Sequence, residues 1–306
     1  MKLKKFLTVG LAVLVAGVMS ACSSNHSKSK SYTPKSLQVQ FVPSQNATTL
    51  EARAKPLEKM LSKRLGIPVH VTTSTSFNAP IEAMSSKKVD VAFLPPDGYV
   101  LVHKRGIADV LLQAERYGVK QPDGKATKKL VKSYRAEILV KKGSKIKSWK
   151  DLKGKSISIQ DPTSSSGYLF PVAELKEKGL DVTKKCKLVT VTGHDQAVLN
   201  VLNGDTDAAF VFEDARNAVI KDKPNIMKQV VPIYFTHSIP NDTISVRSDM
   251  SKAFRNKLAK AFIAIGKSKE GRKVIEQVYT HEGYVRSKDS DFNEIRHYEK
   301  LVNKKE

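Results

Sequence analysis

Cysteine is nearly missing from this chain: two among 306 residues, Cys22 and Cys186. Cys22 closes an apolar N-terminal run, so Cys186 has no partner for an internal disulfide, and a disulfide-stapled scaffold is excluded. The fold must instead be held by a hydrophobic core, which 306 residues in roughly two domains can supply. Cys186 itself, in "KKCKLVTV" at the start of a strand-like run, reads as a packed or idle thiol. The seven histidines are scattered without a close pair of metal-ligand type, which argues against a metal site. Long apolar runs are absent too, except Phe6–Val18, which falls short of the about 20 residues that span a bilayer. Acidic residues are few: 30 against 53 Lys and Arg, a formal net charge of +23. The lysines are spread along the chain rather than massed on one helix. With an export signal in front, they point to anionic lipids, wall polymers or an anionic solute, and no nucleic-acid partner is expected.

That signal is the clearest feature present. Lys2, Lys4 and Lys5 precede the apolar run, and small residues follow it up to Cys22 in "MSAC". The ending resembles a lipobox, with Met19 where leucine is more usual, which implies that Cys22 is freed and acylated. The polar, Ser/Lys-rich "SSNHSKSKSYTPK" after it reads as a flexible tether. Residues 1–21 are therefore expected to be signal peptide and residues 22–36 tether. The mature protein is expected on the extracytoplasmic face of the membrane, held by the lipid on Cys22.

Beyond the tether, strand-like and helix-like segments alternate, beginning with "LQVQFV", a leucine-periodic helix interrupted by Pro56, "VHVTT" and "VDVAFL". A second series starts at "RAEILV" and runs through "SISIQ", "FPVAELKEKG", "KLVTV", "HDQAVLNVLNG" and "DAAFVF" to "DTISVR"; the rest is helical. Such alternation predicts an α/β fold of two lobes, with mixed, mainly parallel sheets, helices on both faces and a cleft between. The first lobe is expected at 37–138 with 246–306 and the second at 139–245, hinged on "AEILV" and "TISVR". Ligands in such folds bind near the carboxyl ends of strands.

At one such end lies "DPTSSSGYLFP", Asp161–Pro171. Helix N-termini carry unpaired N–H groups and partial positive charge, small residues let an anion approach them, and serine hydroxyls add donors. One serine would merely cap a helix; three ending in Gly167 read either as such a cap or as a cradle for an oxyanion. His194, in "GHD" at another predicted helix start, reads either as a structural histidine or as a further donor to an anion. Glu213 and Asp214 close the strand "DAAFVF" and read either as ligand contacts or as helix-capping acids. Ser, His and Asp together invite a hydrolase reading, but the elbow G-x-S-x-G is absent, with Thr163 and Ser164 where its first glycine belongs. "GKS" at 154–156 lacks the earlier glycine of a phosphate loop, because Trp149 stands there.

"DPTSSSGYLFP", "GHDQAVLNVLNGDTDAA" and "IPNDTISVR", in this order, resemble the phosphonate-binding proteins of ABC importers. Those proteins have the type II periplasmic-binding-protein fold. The resemblance spans roughly Leu37 to Val278, and "KSWKDLKGKSISI" adds a less specific match. It implies a solute receptor, not an enzyme, with no cofactor or metal, acting as a monomer with an ABC permease and its ATPase. Position by position, the family's anion loop falls on Ser164, Ser165, Ser166 and Gly167, with serine in place of threonine. Its histidine falls on His194, a hinge tyrosine on Tyr134, the aspartate of the return segment on Asp242, and an ammonium-binding acid on Glu213 or Asp214. A first-lobe tyrosine falls on Phe77, where the hydroxyl is lost. The ligand so implied is a tetrahedral oxyanion: phosphonate, phosphite or phosphate. The alternative is a different small anion or an amphipathic solute on the same scaffold.

Overall fold

A computed structural model of the chain describes residues 31–303. The expected signal peptide, Cys22 and most of the expected tether lie outside the described residues. No helix among those described is long and apolar enough to cross a membrane.

The strands follow the alternation of the sequence. β1 (Leu37–Phe41) buries every second side chain, and β2 (Val69–Thr73) lies parallel beside it. β3 (Val91–Leu94), apolar throughout, is buried throughout and pairs with the other side of β1. Between β1 and β2 the chain forms two helices, Ala47–Ala54 and Pro56–Leu65. Pro56 has no N–H to continue the first helix and begins the second, as proline tolerates. β4 (Ala108–Lys120) is long, and it turns through the hairpin strand β5 (Lys125–Val131) into β6 (Ser133–Lys141). β7 (Ser156–Ile159), β8 (Lys187–Thr190) and β9 (Ala208–Phe212) follow, each reached by a helical segment. β10 (Val230–Pro240), β11 (Thr243–Arg247) and β12 (Gly283–Arg286) complete the set.

They form two sheets. One has the order β12-β4-β11-β3-β1-β2 with β5 attached to β4; the other has the order β10-β6-β9-β7-β8. Each sheet centres a lobe. Pairing is parallel where helices connect strands, at β1-β2, β1-β3, β7-β8 and β7-β9. It is antiparallel wherever β4, β6, β10, β11 or β12 returns. The sheets are mixed, with a smaller parallel share than alternation alone implies, because the hairpin and the strands leading in and out of the second lobe all run back.

The crossings between lobes fall earlier than the sequence expectation. All of β6 from Ser133 lies in the second sheet and all of β11 from Thr243 lies in the first. The boundaries expected at 138 and 246 move to the Lys132–Ser133 and Asn241–Asp242 links. One buried side chain ties these links together: Asn241 Nδ2 donates to the carbonyls of Ala114 and Val131, both at 3.0 Å. Its backbone N donates to Lys132 O at 2.8 Å. The β4–β5 hairpin reaches the second lobe, where Arg216 donates to Pro122 O (2.8 Å) and Asn217 to Gly124 O (2.9 Å).

The C-terminal helices Lys252–Lys267 and Lys269–Tyr279 pack back on the first sheet, Phe262 meeting Phe93 edge-on at 5.7 Å. The last helix, Asn293–Asn303, instead joins the second lobe: Tyr298 stacks on Phe170 at 4.0 Å and donates to the buried Glu174 at 3.1 Å. The tether also ends sooner than 36. Tyr32 bridges to Met250, and the Arg247 guanidinium lies 4.0 Å from its ring centre. Cys186 is half-buried, and its thiol donates to Leu152 O at 3.1 Å.

Candidate functional site

The carboxyl ends of β1, β3, β7 and β9 and the β10–β11 link converge on one cavity between the lobes. Its lining includes Ser44, Phe77 and Asp242 on one side and Tyr134, Ser164, Ser166 and His194 on the other. It encloses about 60 Å³, room for on the order of four to six water-sized groups.

The serine loop is built by local chemistry. Asp161 Oδ1 accepts from the backbone N and the hydroxyl of Thr163, which fixes the turn before the serines. Ser164, with extended backbone, caps the turn that follows and accepts from Gly167 N at 3.2 Å. Ser165–Leu169 then winds as a π-helical turn before the α-helix Phe170–Glu177 begins, with Pro171 in its first turn, where no N–H is required. Ser164 and Ser166 line the cavity. Ser165 does not: its hydroxyl donates across the cleft to Asp97 Oδ1 at 2.7 Å. That bond turns Ser165 toward Asp97 while its two neighbours face the cavity. Gly167 is also set back. A Cβ there would lie 2.3 Å from the side chain of Gln160, so its part is to permit close packing.

His194 starts the helix His194–Asn203 and is buried between Phe77 and Phe212, edge to face with both. Its Nδ1 has no hydrogen-bond partner. Burial drives its pKa down to about 3, so the ring is neutral and carries one N–H. Its backbone N donates to Ser44 O at 2.9 Å, and Asp195 Oδ2 accepts from Asn46 N at 3.0 Å. With Ser165–Asp97, these contacts join the lobes around the cavity. Tyr134 opens β6 in hydrogen-bonding reach of Ser166, and burial raises its phenol well above the usual value. Phe77 presents only its ring.

Of the three carboxylates anticipated, Asp242 alone lines the cavity. Glu213 is turned aside: it accepts from Arg135 N and Nε and from Gln121 Nε2. Asp214 lies behind Arg116, whose Nη2 it accepts at 2.5 Å. Arg116, Tyr279 and His281 line the cavity as well, unforeseen from the sequence. His281 Nε2 stands 3.8 Å from Asp242 Oδ2, and Tyr279 donates to Val42 O. Arg116 follows Glu115 in β4, among other polar residues of that strand, and no sequence signal singled it out. Tyr279 is the last residue of the helix Lys269–Tyr279 and His281 follows it, and only long-range packing brings them here. The constellation is not a hydrolase triad, since Ser165 pairs with Asp97 and His194 Nδ1 accepts or donates to nothing.

Two lobes closing on a small cavity of hydroxyl, imidazole and guanidinium donors define an extracytoplasmic solute-binding protein. Residues 39–292 match the family model of the ABC transporter, phosphonate, periplasmic substrate-binding protein, and the chain belongs to that family. It is 31% identical over 227 residues to the phosphate-import protein PhnD of Mycolicibacterium smegmatis, covering 70% of this chain and 68% of that one. It is 24% identical over 248 residues to the phosphonates-binding periplasmic protein of Escherichia coli, covering 80% and 70%. In fold it is similar to PhnD1 of Prochlorococcus marinus, solved with methylphosphonate, at a TM-score of 0.76 and 19% identity, over 89% of this chain and 100% of the other. The proteins of this family are substrate-binding components of importers rather than enzymes.

Proposed function

We propose that the protein is a lipid-anchored receptor, monomeric, that captures a compact tetrahedral oxyanion (phosphate, phosphite or a small phosphonate) and delivers it to an ABC permease. The observation that carries this reading is the pairing of donors with one acceptor across the cavity: Ser164, Ser166, His194 and Tyr134 facing Asp242. Hydroxyl and imidazole donors suit the oxyanion's lone pairs. A carboxylate at Asp242 only accepts, so a ligand oxygen facing it must bring a proton. Phosphate, phosphite and alkylphosphonate monoanions carry such a proton near neutral pH; sulfate does not. The small volume supports a ligand of about five heavy atoms over an amphipathic solute.

Calorimetry on protein starting after Cys22, with phosphate, phosphite, methylphosphonate and sulfate, tests this. At least one of the first three is expected to bind, with sulfate weaker by about 10–100-fold, the worth of one charge-assisted hydrogen bond. His194→Ala and Ser166→Ala are each expected to weaken binding by a similar factor. Sulfate binding as tightly as the others, or unchanged affinity in both variants, would remove the assignment.

A further inference from the structure

Arg116 is the one full positive charge lining the cavity among the described residues, and nothing in the serine loop accounts for it. It sits on β4, 7% exposed, with its guanidinium 5.8 Å from the ring centre of Tyr134. Asp214, itself buried, holds Nη2 from behind and does not line the cavity. Arg116 Nε is buried and has no hydrogen-bond partner. The pair therefore places a guanidinium at the cavity wall, while the carboxylate that compensates it is off the lining. Glu213, the neighbouring acid, is likewise consumed by Arg135 and Gln121. A ligand group entering along this wall meets a cation; Asp242, the carboxylate that does line the cavity, faces the proton-bearing oxygen on the reading above.

Resting on the oxyanion reading above, we propose that Arg116, held by Asp214, sets the charge preference of the pocket. It binds the oxyanion or an uncharged tail beside it, and it excludes ligands whose tail carries an ammonium group. The favoured class is then phosphate, phosphite and phosphonates with small neutral substituents, with aminoalkylphosphonates disfavoured. A cationic tail would lie against the guanidinium in a dry site, where like charges repel strongly and neither can reach water.

The test is calorimetry of the native protein with methylphosphonate and with 2-aminoethylphosphonate, repeated on Arg116→Gln and on Arg116→Gln/Asp214→Asn. The native protein is expected to favour methylphosphonate by about tenfold or more, the effect of one unfavourable charge contact. Arg116→Gln exposes Asp214 and is expected to narrow or invert that ratio. The double variant, with neither charge, is expected to narrow the ratio without inverting it, because the repulsion is gone and no carboxylate replaces it. Equal or tighter binding of 2-aminoethylphosphonate by the native protein overturns the proposal without any variant having to fold. So does an unchanged ratio in a folded Arg116→Gln protein. If the native protein binds neither these compounds nor phosphate or phosphite, the oxyanion reading fails and this proposal with it.

Discussion

At the residue scale, two buried groups titrate in opposite senses. Burial holds His194 down to about 3, and burial pushes Asp97 up to about 7 despite the hydroxyl it accepts from Ser165. His194 stays neutral in the fold while its unfolded form charges below about 6.5, so its contribution to stability falls as the pH drops from there toward 3. Asp97 behaves conversely. Its contribution is full below about 3.8 and is lost as the pH rises through about 7. Asp97→Asn removes only the second trend. The variant should therefore gain stability relative to the native protein as pH rises from 4.5 to 7.5, by on the order of 1 kcal/mol per unit. Urea denaturation at the two pH values measures this, and a pH-independent difference would sink the assignment. Much of the site could be read at this scale. Ser164, Ser166 and His194 were visible in motifs, Tyr134, Phe77 and Asp242 only through the family resemblance, and all six line the cavity. Ser165, Glu213 and Asp214 carried the same motif signal, but their side chains are turned away by partners distant in sequence: Asp97, Arg135 and Arg116.

At the scale of elements, one side chain couples the two binding loops. Gln160, fully buried at the end of β7, accepts from Gly193 N at 3.0 Å and donates to Gly193 O at 3.2 Å. Its own backbone N donates to Gly167 O. The serine turn and the start of the His194 helix are thus pinned to one amide. Gly193 needs its positive φ of 92° to make this bend, a conformation glycine adopts freely. Gly167→Ala would drive a methyl into Gln160 and disturb both loops at once. Overpacking of this kind costs about 1–3 kcal/mol. A lowered melting temperature together with weaker oxyanion binding is expected. Loss of stability with affinity intact would show that the loops are positioned independently. Most strand and helix types were legible from periodicity, whereas the β4–β5 hairpin and β12, inside a tail expected to be helical, were not. β5, "KATKKLV", is exposed almost throughout and carries no apolar alternation to announce a strand.

At the scale of the whole molecule, the net charge and the proposed lipid on Cys22 would act together. The chain carries +23, and its apolar N-terminal run is followed by Cys22. A basic receptor tethered as proposed would stay near an anionic surface, and electrostatic attraction to that surface is cut by salt. Cys22→Ala is expected to release most of the protein into the soluble fraction, with the remainder leaving the membrane on a salt wash. Membrane retention of this variant at high salt would mean that the lipid is not what holds it. The lobe boundaries were legible only approximately, because strand alternation does not mark where a strand changes sheet. Asn241, the residue that binds the crossings together, is an ordinary polar position in a turn-like sequence.

The placement of Asn241 has a mechanical consequence. Asp242 follows it directly, and Tyr134 lies two residues beyond Lys132, so both sit almost on the axis about which the lobes would turn. Ser44, Asn46 and Asp195 lie where the lobes meet at the far rim. A rigid rotation moves each atom in proportion to its distance from the pivot. The short lever arm keeps Tyr134 and Asp242 nearly stationary, while the rim sweeps the longest path. An arriving ion thus finds a fixed anvil already in place, and the travel of closure is spent at the lip, where it shuts out water.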